Sequence, residues 1–118
     1  MNTKNHLLSA GSLMSDKVKN MEGEDLGKLE ELMLDTSNGR IAYGVLSFGG
    51  FLGMGDKLFA VPWTALTVDR NEKCLRLDCD KNALEDAPGF NKDSWPDMAD
   101  PAWFVPVHSY YKQPHPVM

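Results

Sequence analysis

Short apolar runs separated by turn-forming residues divide most of this chain into strand-sized segments. In the clearest segment, Arg40–Phe48, apolar side chains alternate onto both faces of a strand: Ile41, Tyr43 and Val45 on one face, and Ala42, Leu46 and Phe48 on the other. A strand that is apolar on both faces has to be covered on both sides, as in a small closed barrel or at a subunit contact. The pattern therefore predicts an all-β core.

Four further segments have the length and composition of strands: residues 13–19, 59–62, 65–69 and 74–78. Residues 71–73 have the polar composition of a turn and separate the last two of these segments. Strands of this length at this spacing are typical of a small β-barrel.

Residues 26–35 have two interpretations. Leu26, Leu29 and Met33 fall at helical spacing, and the segment is rich in good helix formers. As a strand, the segment alternates except at Glu30-Glu31. A β-bulge there would restore the pattern, because one extra residue shifts the register by one. Periodicity alone leaves both interpretations open.

The dipeptide Asn38-Gly39 lies between this segment and Arg40–Phe48. It supplies the positive φ angles of a tight type I′ hairpin turn. Because a hairpin needs a strand on each side, the turn favours a strand over residues 26–35.

Two helices are predicted near the C-terminus. Asp80 is a suitable cap for a short helix over residues 81–87, and Asp100-Pro101 is typical of the start of a longer one over residues 102–111. We expect Pro106 to kink the second helix or to confine its regular part to one side. The face expected to seal the barrel carries Trp103, Val107, Tyr110 and Tyr111.

The length and charge of the chain disfavour several classes of protein. At 118 residues the chain is one domain, and 17 acidic residues against 12 basic ones give a net charge of −5. This charge disfavours binding to nucleic acid or to an anionic membrane, which needs a basic patch. The uncharged stretch 41–55 is too short and too rich in glycine for a membrane span.

The N-terminus lacks the apolar stretch of a signal peptide, so we expect a cytoplasmic protein. The pattern predicts a flexible lead over residues 1–12, a domain with a helical C-terminal extension over residues 13–111, and a tail over residues 112–118.

The two cysteines, Cys74 and Cys79, are five residues apart. In a strand an odd separation sends side chains to opposite faces, so the two thiols are not expected to form a disulfide with each other. Cys79 would share a face with Leu75 and Leu77, as a small buried apolar residue.

The glycine-rich stretch GGFLGMGDK does not match a phosphate-binding loop. Gly50 and Gly55 have the required spacing, but Asp56 follows where a lysine is needed, and a carboxylate there would repel phosphate. We therefore interpret the glycines as a loop that permits positive φ angles between two strands.

No other motif predicts a catalytic, cofactor-binding or metal site. Asp78, Asp80 and Asn82 match the first ligands of a calcium loop, but Ala83 and Gly89 replace the required glycine and glutamate. The three histidines, His6, His108 and His115, have no metal-binding spacing, and Ser47 lacks the flanking glycine of a nucleophile elbow.

Four stretches of the chain resemble PRC-barrel proteins: residues 18–35, 37–50, 55–63 and 75–90. That family shares a domain with the photosynthetic reaction-centre H subunit and the C-terminal part of the ribosome maturation factor RimM. The resemblance implies a small six-stranded antiparallel β-barrel with short C-terminal helices, and a strand over residues 26–35.

The resemblance implies little about function. The chain is similar to free-standing bacterial members, without the membrane helix of the reaction-centre subunit or the second domain of RimM. The resemblance implies no shared catalytic residues, and we expect no cofactor. We expect a non-enzymatic module for protein interaction or assembly, and the alternative is a small-ligand or cofactor-associated protein linked to electron transfer.

The residues expected to make the contact are Phe48, Phe51, Leu52 and Met54. A loop this short cannot bury its three apolar side chains under itself, and exposed apolar patches usually mark contacts. We expect a homodimer or an unknown protein partner. The alternative is that the loop covers an open end of the barrel, or packs onto Trp103 and Tyr110.

Overall fold

The structure, a computed structural model, describes residues 7–48 and 57–115. Six strands form one sheet in the order β4-β3-β2-β1-β6-β5. The strands are β1 (Lys17–Lys19), β2 (Asp25–Asp35), β3 (Arg40–Phe48), β4 (Lys57–Pro62), β5 (Leu66–Asp69) and β6 (Cys74–Leu77). The mainly β, six-stranded fold that the sequence predicted is therefore confirmed.

A short 3-10 turn, Trp63–Ala65, joins the two edge strands of this sheet. From Pro62 to Leu66 the chain covers at most about 15 Å, so the edges must approach each other where β4 ends and β5 begins. At Gly44 in β3, a Cβ atom would lie 2.8 Å from Leu66 Cδ1 and 3.2 Å from Leu29 Cδ1. Side chains from β2 and β5 thus meet β3 inside a rolled sheet.

The prediction of a purely antiparallel sheet is wrong at one pair, because β1 and β6 are parallel. The other neighbouring strands are antiparallel. These relative directions mean that β4 and β5, at the two edges of the sheet, point in the same direction. The turn between them does not reverse the chain, and β6 therefore returns beside β1 in the same direction.

Two irregularities in β2 explain why residues 26–35 allowed a helical interpretation. The register with β3 shifts between Leu29 and Glu31, where a bulge was predicted. The register with β1 also shifts, and Gly27 lies there with a φ angle of +108°. This second bulge lets Leu26 and Leu29, three residues apart, both be fully buried. The strand interpretation is confirmed.

The hairpin turn between β2 and β3 is not of type I′. Only Gly39 has a positive φ angle, of +75°, whereas that turn needs two such residues. The loop spans residues 36–39 instead. The backbone N–H of Gly39 donates to the carbonyl oxygen of Asp35, and the Asp35 carboxylate accepts from the backbone N–H of Ser37.

The core has two parts, one on each face of β3. The inner part contains fully buried side chains from several strands and from α2 (Lys81–Glu85): Leu26, Leu29, Leu46, Phe59, Leu75 and Leu84. The outer part is a cluster of Tyr43, Ala60 and Phe104, with Phe90 and Trp103 against it. The C-terminal part of the chain thus covers the outer face of β3, which the sequence predicted to need a cover.

The free edge of β4 is also covered from within the chain. Leu58 and Phe90 exchange two backbone hydrogen bonds, of 2.8 and 2.9 Å. Unpaired strand edges are templates for association with other chains. This bridge therefore removes part of one such template.

The N-terminal segment differs from the prediction of a strand over residues 13–19. A single helical turn, α1 (Ala10–Leu13), precedes the short strand β1, and Ser9 caps it by accepting from the backbone N–H of Ser12. Leu13 is buried in the inner core. The cap and the burial of one leucine favour a helical turn over an extension of β1.

The two C-terminal helices begin where the sequence predicted. Asp80 caps α2, and Asp100 caps α3 (Pro101–Tyr110) by accepting from the backbone N–H of Ala102. Helix α3 continues through Pro106, where the sequence predicted a kink or an interruption. The face that it buries carries Phe104, Val107, His108 and Tyr111, so Tyr110 was wrongly placed on it.

A substitution at Gly27 tests how much the bulge in β2 contributes to stability. A Cβ at this residue would overlap the carbonyl oxygen of Ser47, and the φ angle is strained for any L side chain. We expect Gly27→Ala to lower the free energy of unfolding by about 2–4 kcal/mol, measured by urea denaturation. Gly23→Ala is the matched control, because Gly23 has a φ angle of +88° with no atom near its Cβ position. Equal losses in the two variants would contradict the close approach of β2 and β3.

Candidate functional site

Phe48 is the one predicted contact residue that the structure describes. It is the last residue of β3, is 8% exposed and belongs to the inner core. Lys81 is at the start of α2, and its Nζ lies 5.7 Å from the centre of the Phe48 ring. The other three predicted residues, Phe51, Leu52 and Met54, lie outside the described residues.

A groove of about 500 Å³ lies beside Phe48. Its polar lining residues come from the approach to β1, from β1, β2 and β3, and from the first turn of α2: Ser15, Lys17, Asp25, Lys28, Ser47 and Lys81. We call this feature the lysine groove. The sequence analysis did not predict it, because its residues are distant along the chain.

Strand pairing places three of the groove residues in one row. Lys17 of β1 is the register partner of Lys28 in β2, and Lys28 is in turn the partner of Ser47 in β3. Neighbouring strands are about 5 Å apart. Two lysines therefore lie directly opposite each other, an arrangement of like charges that destabilises a sheet.

The charges of the groove are not balanced by ion pairs. Within residues 7–48 and 57–115 the one salt bridge joins Arg76 to Asp69, at 3.1 Å, outside the groove. Asp25 lines the groove, but its carboxylate accepts from the backbone N–H of Gly27 at 2.9 Å. Three lysines and one aspartate give the lining an excess of positive charge in a chain of net charge −5.

Ser47 contributes a hydroxyl group to the same groove. The residue is 4% exposed, but its hydroxyl oxygen is accessible from the groove: in the described part of the chain, the one buried side-chain oxygen or nitrogen without a hydrogen-bond partner is the hydroxyl of Tyr111. The groove thus combines like charges on neighbouring strands with a hydroxyl group that a ligand can reach.

A second polar feature lies under α3, where Tyr43 and His108 form a buried pair. The Tyr43 hydroxyl and Nε2 of His108 are 2.8 Å apart, and Nδ1 of His108 is 3.0 Å from the carbonyl oxygen of Pro114. A carbonyl oxygen only accepts, so Nδ1 carries the hydrogen and Nε2 accepts from the tyrosine hydroxyl. The pair therefore connects α3 and the residues that follow it to β3 by hydrogen bonds.

Burial disfavours the charged forms of both members of this pair. Desolvation lowers the pKa of His108 below its ordinary value of 6.5, and the nearby His115 lowers it further, although the Pro114 carbonyl acts in the opposite direction. Desolvation raises the pKa of Tyr43 to about 12. Both side chains are therefore neutral near pH 7. Sequence periodicity missed His108, although Phe104, Val107, His108 and Tyr111 have the spacing of one helical face.

The cysteines are free, as predicted. Cys74 is buried, whereas Cys79 is only partly buried and lies beyond the end of β6, so the predicted burial of Cys79 in a strand is wrong. Burial and the neighbouring carboxylates of Asp80 and Asp78 raise the pKa of the Cys79 thiol to about 11. This thiol therefore remains protonated at neutral pH and is a poor nucleophile.

Residues 7–48 and 57–115 carry neither a metal-binding cluster nor a membrane-spanning helix. No group of three or more His, Cys, Asp or Glu residues there is arranged to hold a metal ion. No helix there has the length and hydrophobicity needed to cross a membrane.

Comparison with known proteins gives one family. The family model described as the PRC-barrel domain matches residues 7–83, more than half of the chain. A solved structure of a 16S ribosomal RNA processing protein, RimM, from Pseudomonas aeruginosa is 18% identical, with a TM-score of 0.42. The match covers 69% of this chain and 50% of that protein, so the chain spans half its length. No curated protein matches the chain.

The buried histidine predicts a pH dependence of stability. Because its pKa is lower in the folded state, the unfolded chain binds the proton more readily. Stability should be full above about pH 6.5 and fall as the pH decreases toward the folded-state pKa. The free energy of unfolding can be measured by urea denaturation at about pH 7.5 and about pH 5.5. Both values lie above the range in which carboxylates ordinarily titrate.

His108→Gln should be less stable than the parent protein but should lose most of this pH dependence, because the titrating group is gone. His115→Gln removes an exposed histidine and should retain most of the dependence, because burial, and not His115, is the largest cause of the lowered pKa of His108. An unchanged pH profile in His108→Gln would contradict the assignment to His108.

Proposed function

Because the chain belongs to the PRC-barrel domain family, we propose that it is a non-enzymatic module that assembles with other proteins. The observation that carries the proposal is the position of Phe48. It ends β3 beside the lysine groove, and the sequence continues from it with Phe51, Leu52 and Met54. A contact surface typically has apolar residues at its centre and polar residues around them, and this part of the sequence supplies both kinds.

The non-enzymatic part of the proposal is supported by the surroundings of the titratable groups. Burial explains why the pKa values of Tyr43, Cys79 and Tyr111 are raised and why that of His108 is lowered. Tyr43 and His108 bond to each other and to the backbone inside the fold. Such groups stabilise packing, whereas a catalytic group must reach a substrate.

We further propose that the module forms a homodimer through Phe51, Leu52 and Met54. Burying one such side chain stabilises by roughly 1.5–3 kcal/mol, so a contact that covers three of them is favourable. A two-fold dimer is the commonest closed assembly. The outer face of β3 is covered by the C-terminal part of the same chain and is not needed for this contact.

The alternative of a small-ligand or cofactor-associated protein linked to electron transfer stays a prediction, as do the cytoplasmic location and the domain bounds 13–111. No feature in residues 7–48 or 57–115 specifically favours a redox cofactor. A visible absorption spectrum of the protein purified from its native source tests this alternative.

The homodimer is tested by replacing two of the apolar side chains. We expect the parent protein to sediment as a dimer, and Phe51→Ser with Leu52→Ser to sediment as a folded monomer, because the double variant removes most of the apolar contact. Circular dichroism checks that the variant is folded. Leu34→Ser is the control, because Leu34 is 62% exposed on β2 and lies outside the proposed contact.

A parent protein that is already monomeric at high micromolar concentration would show that the proposed dimer is wrong. A dimer that persists in the double variant would show that a different surface forms it.

A further inference from the structure

We propose that the lysine groove binds an acidic segment of a protein partner. The carboxylates of that segment would contact Lys17, Lys28 and Lys81. The inference rests on the proposed function, a module that assembles with proteins, and it names the chemistry of the partner. Lys17, Lys28 and Lys81 all lie in the described part of the chain and are distinct from the apolar residues proposed for the dimer.

The first support is the row formed by Lys17, Lys28 and Ser47. The two lysines face each other across β1 and β2 without an ion pair within 4.0 Å, and this repulsion opposes pairing of the strands. A carboxylate placed between them would turn the repulsion into two attractive contacts. Residues that reduce stability in the free protein are expected at a binding site, where the ligand makes them favourable.

The second support is the Ser47 hydroxyl, which is in register with Lys28 and has no hydrogen bond in the part of the chain that the structure describes. A hydroxyl can donate to a carboxylate oxygen that the lysines attract. The hydroxyl supplies a directional contact, whereas the flexible ammonium groups supply charge without a fixed direction.

The lining also indicates which class of anion fits. Pockets for small organic ligands are mostly apolar, whereas six of the eight described lining residues of this groove are polar or charged. A nucleic acid would meet three lysines on a chain of net charge −5, whereas nucleic-acid binding relies on extended basic surfaces. A short acidic peptide, in contrast, needs only a few cations.

Peptide binding measured by fluorescence anisotropy tests the proposal. The probe is a fluorescein-labelled hexapeptide of sequence EELEEL, its uncharged counterpart is QQLQQL, and a single-stranded oligouridylate represents nucleic acid. We expect saturable binding of the acidic peptide that weakens as salt is added, and no saturation with the other two probes.

Lysine variants locate the binding. Lys28→Gln with Lys81→Gln should weaken binding of the acidic peptide about tenfold. Lys92→Gln with Lys112→Gln removes the same charge from exposed residues outside the groove and should leave the affinity within about twofold. Equal weakening in both double variants would show that net charge, and not the groove, is responsible.

Two single variants separate binding from folding. Lys28→Gln should raise the midpoint of thermal unfolding by roughly 1–5 °C while it weakens peptide binding, because it removes the repulsion from Lys17. Ser47→Ala should weaken binding about threefold without lowering that midpoint, because its hydroxyl has no partner to lose. A lower midpoint in Ser47→Ala would show that the hydroxyl is used inside the fold.

The outcomes also separate this inference from the proposed function. If the acidic peptide does not bind but the parent protein is a dimer that Phe51→Ser with Leu52→Ser dissociates, the groove inference is wrong and the interaction module stands. If the oligouridylate binds more tightly than the peptide, the partner class is wrong. If neither association nor peptide binding is found, both proposals are wrong.

Discussion

The constraint on which the rest of this structure depends is the short turn Trp63–Ala65 between two strands at opposite edges of the sheet. A connection of this length cannot cross an open six-stranded sheet, so the sheet has to roll until its edges meet at this corner. Because the turn does not reverse the chain, β6 arrives parallel to β1 and completes the order of strands. The inner core of leucines and Phe59 follows from that rolling.

Once the sheet is rolled, its outer surface has two regions of different character. The C-terminal part of the chain covers β3 from outside with Phe104 and Trp103, and the hydrogen bond between Tyr43 and His108 fastens it. The end of β3 beside Phe48 is different, because there the bulge at Gly27 brings β2 close to β3 and the lysines of two strands face each other. The same sheet therefore has one stabilised region and one region that carries unbalanced charge.

Much of this fold was predictable from local patterns. Arg40–Phe48, the bulge near Glu30 and the two aspartate caps depend on neighbouring residues, and each was found where the sequence placed it. The parallel pair β1–β6 was missed because it depends on the direction in which a distant connection returns the chain. The lysine groove was missed for the same reason, since Lys17 and Lys28 become partners only through the register of β1 and β2.

The central claim is that the end of the sheet beside Phe48 is a surface for protein contact. Mapping of amide chemical shifts by NMR, as the peptide EELEEL is added to isotope-labelled protein, tests it most directly. The account predicts that the largest changes occur at the amides of Lys17, Lys28, Ser47 and Lys81. Changes centred on the opposite end of β2 and β3, around Leu34 and Ile41, or no changes at saturating peptide, would contradict it.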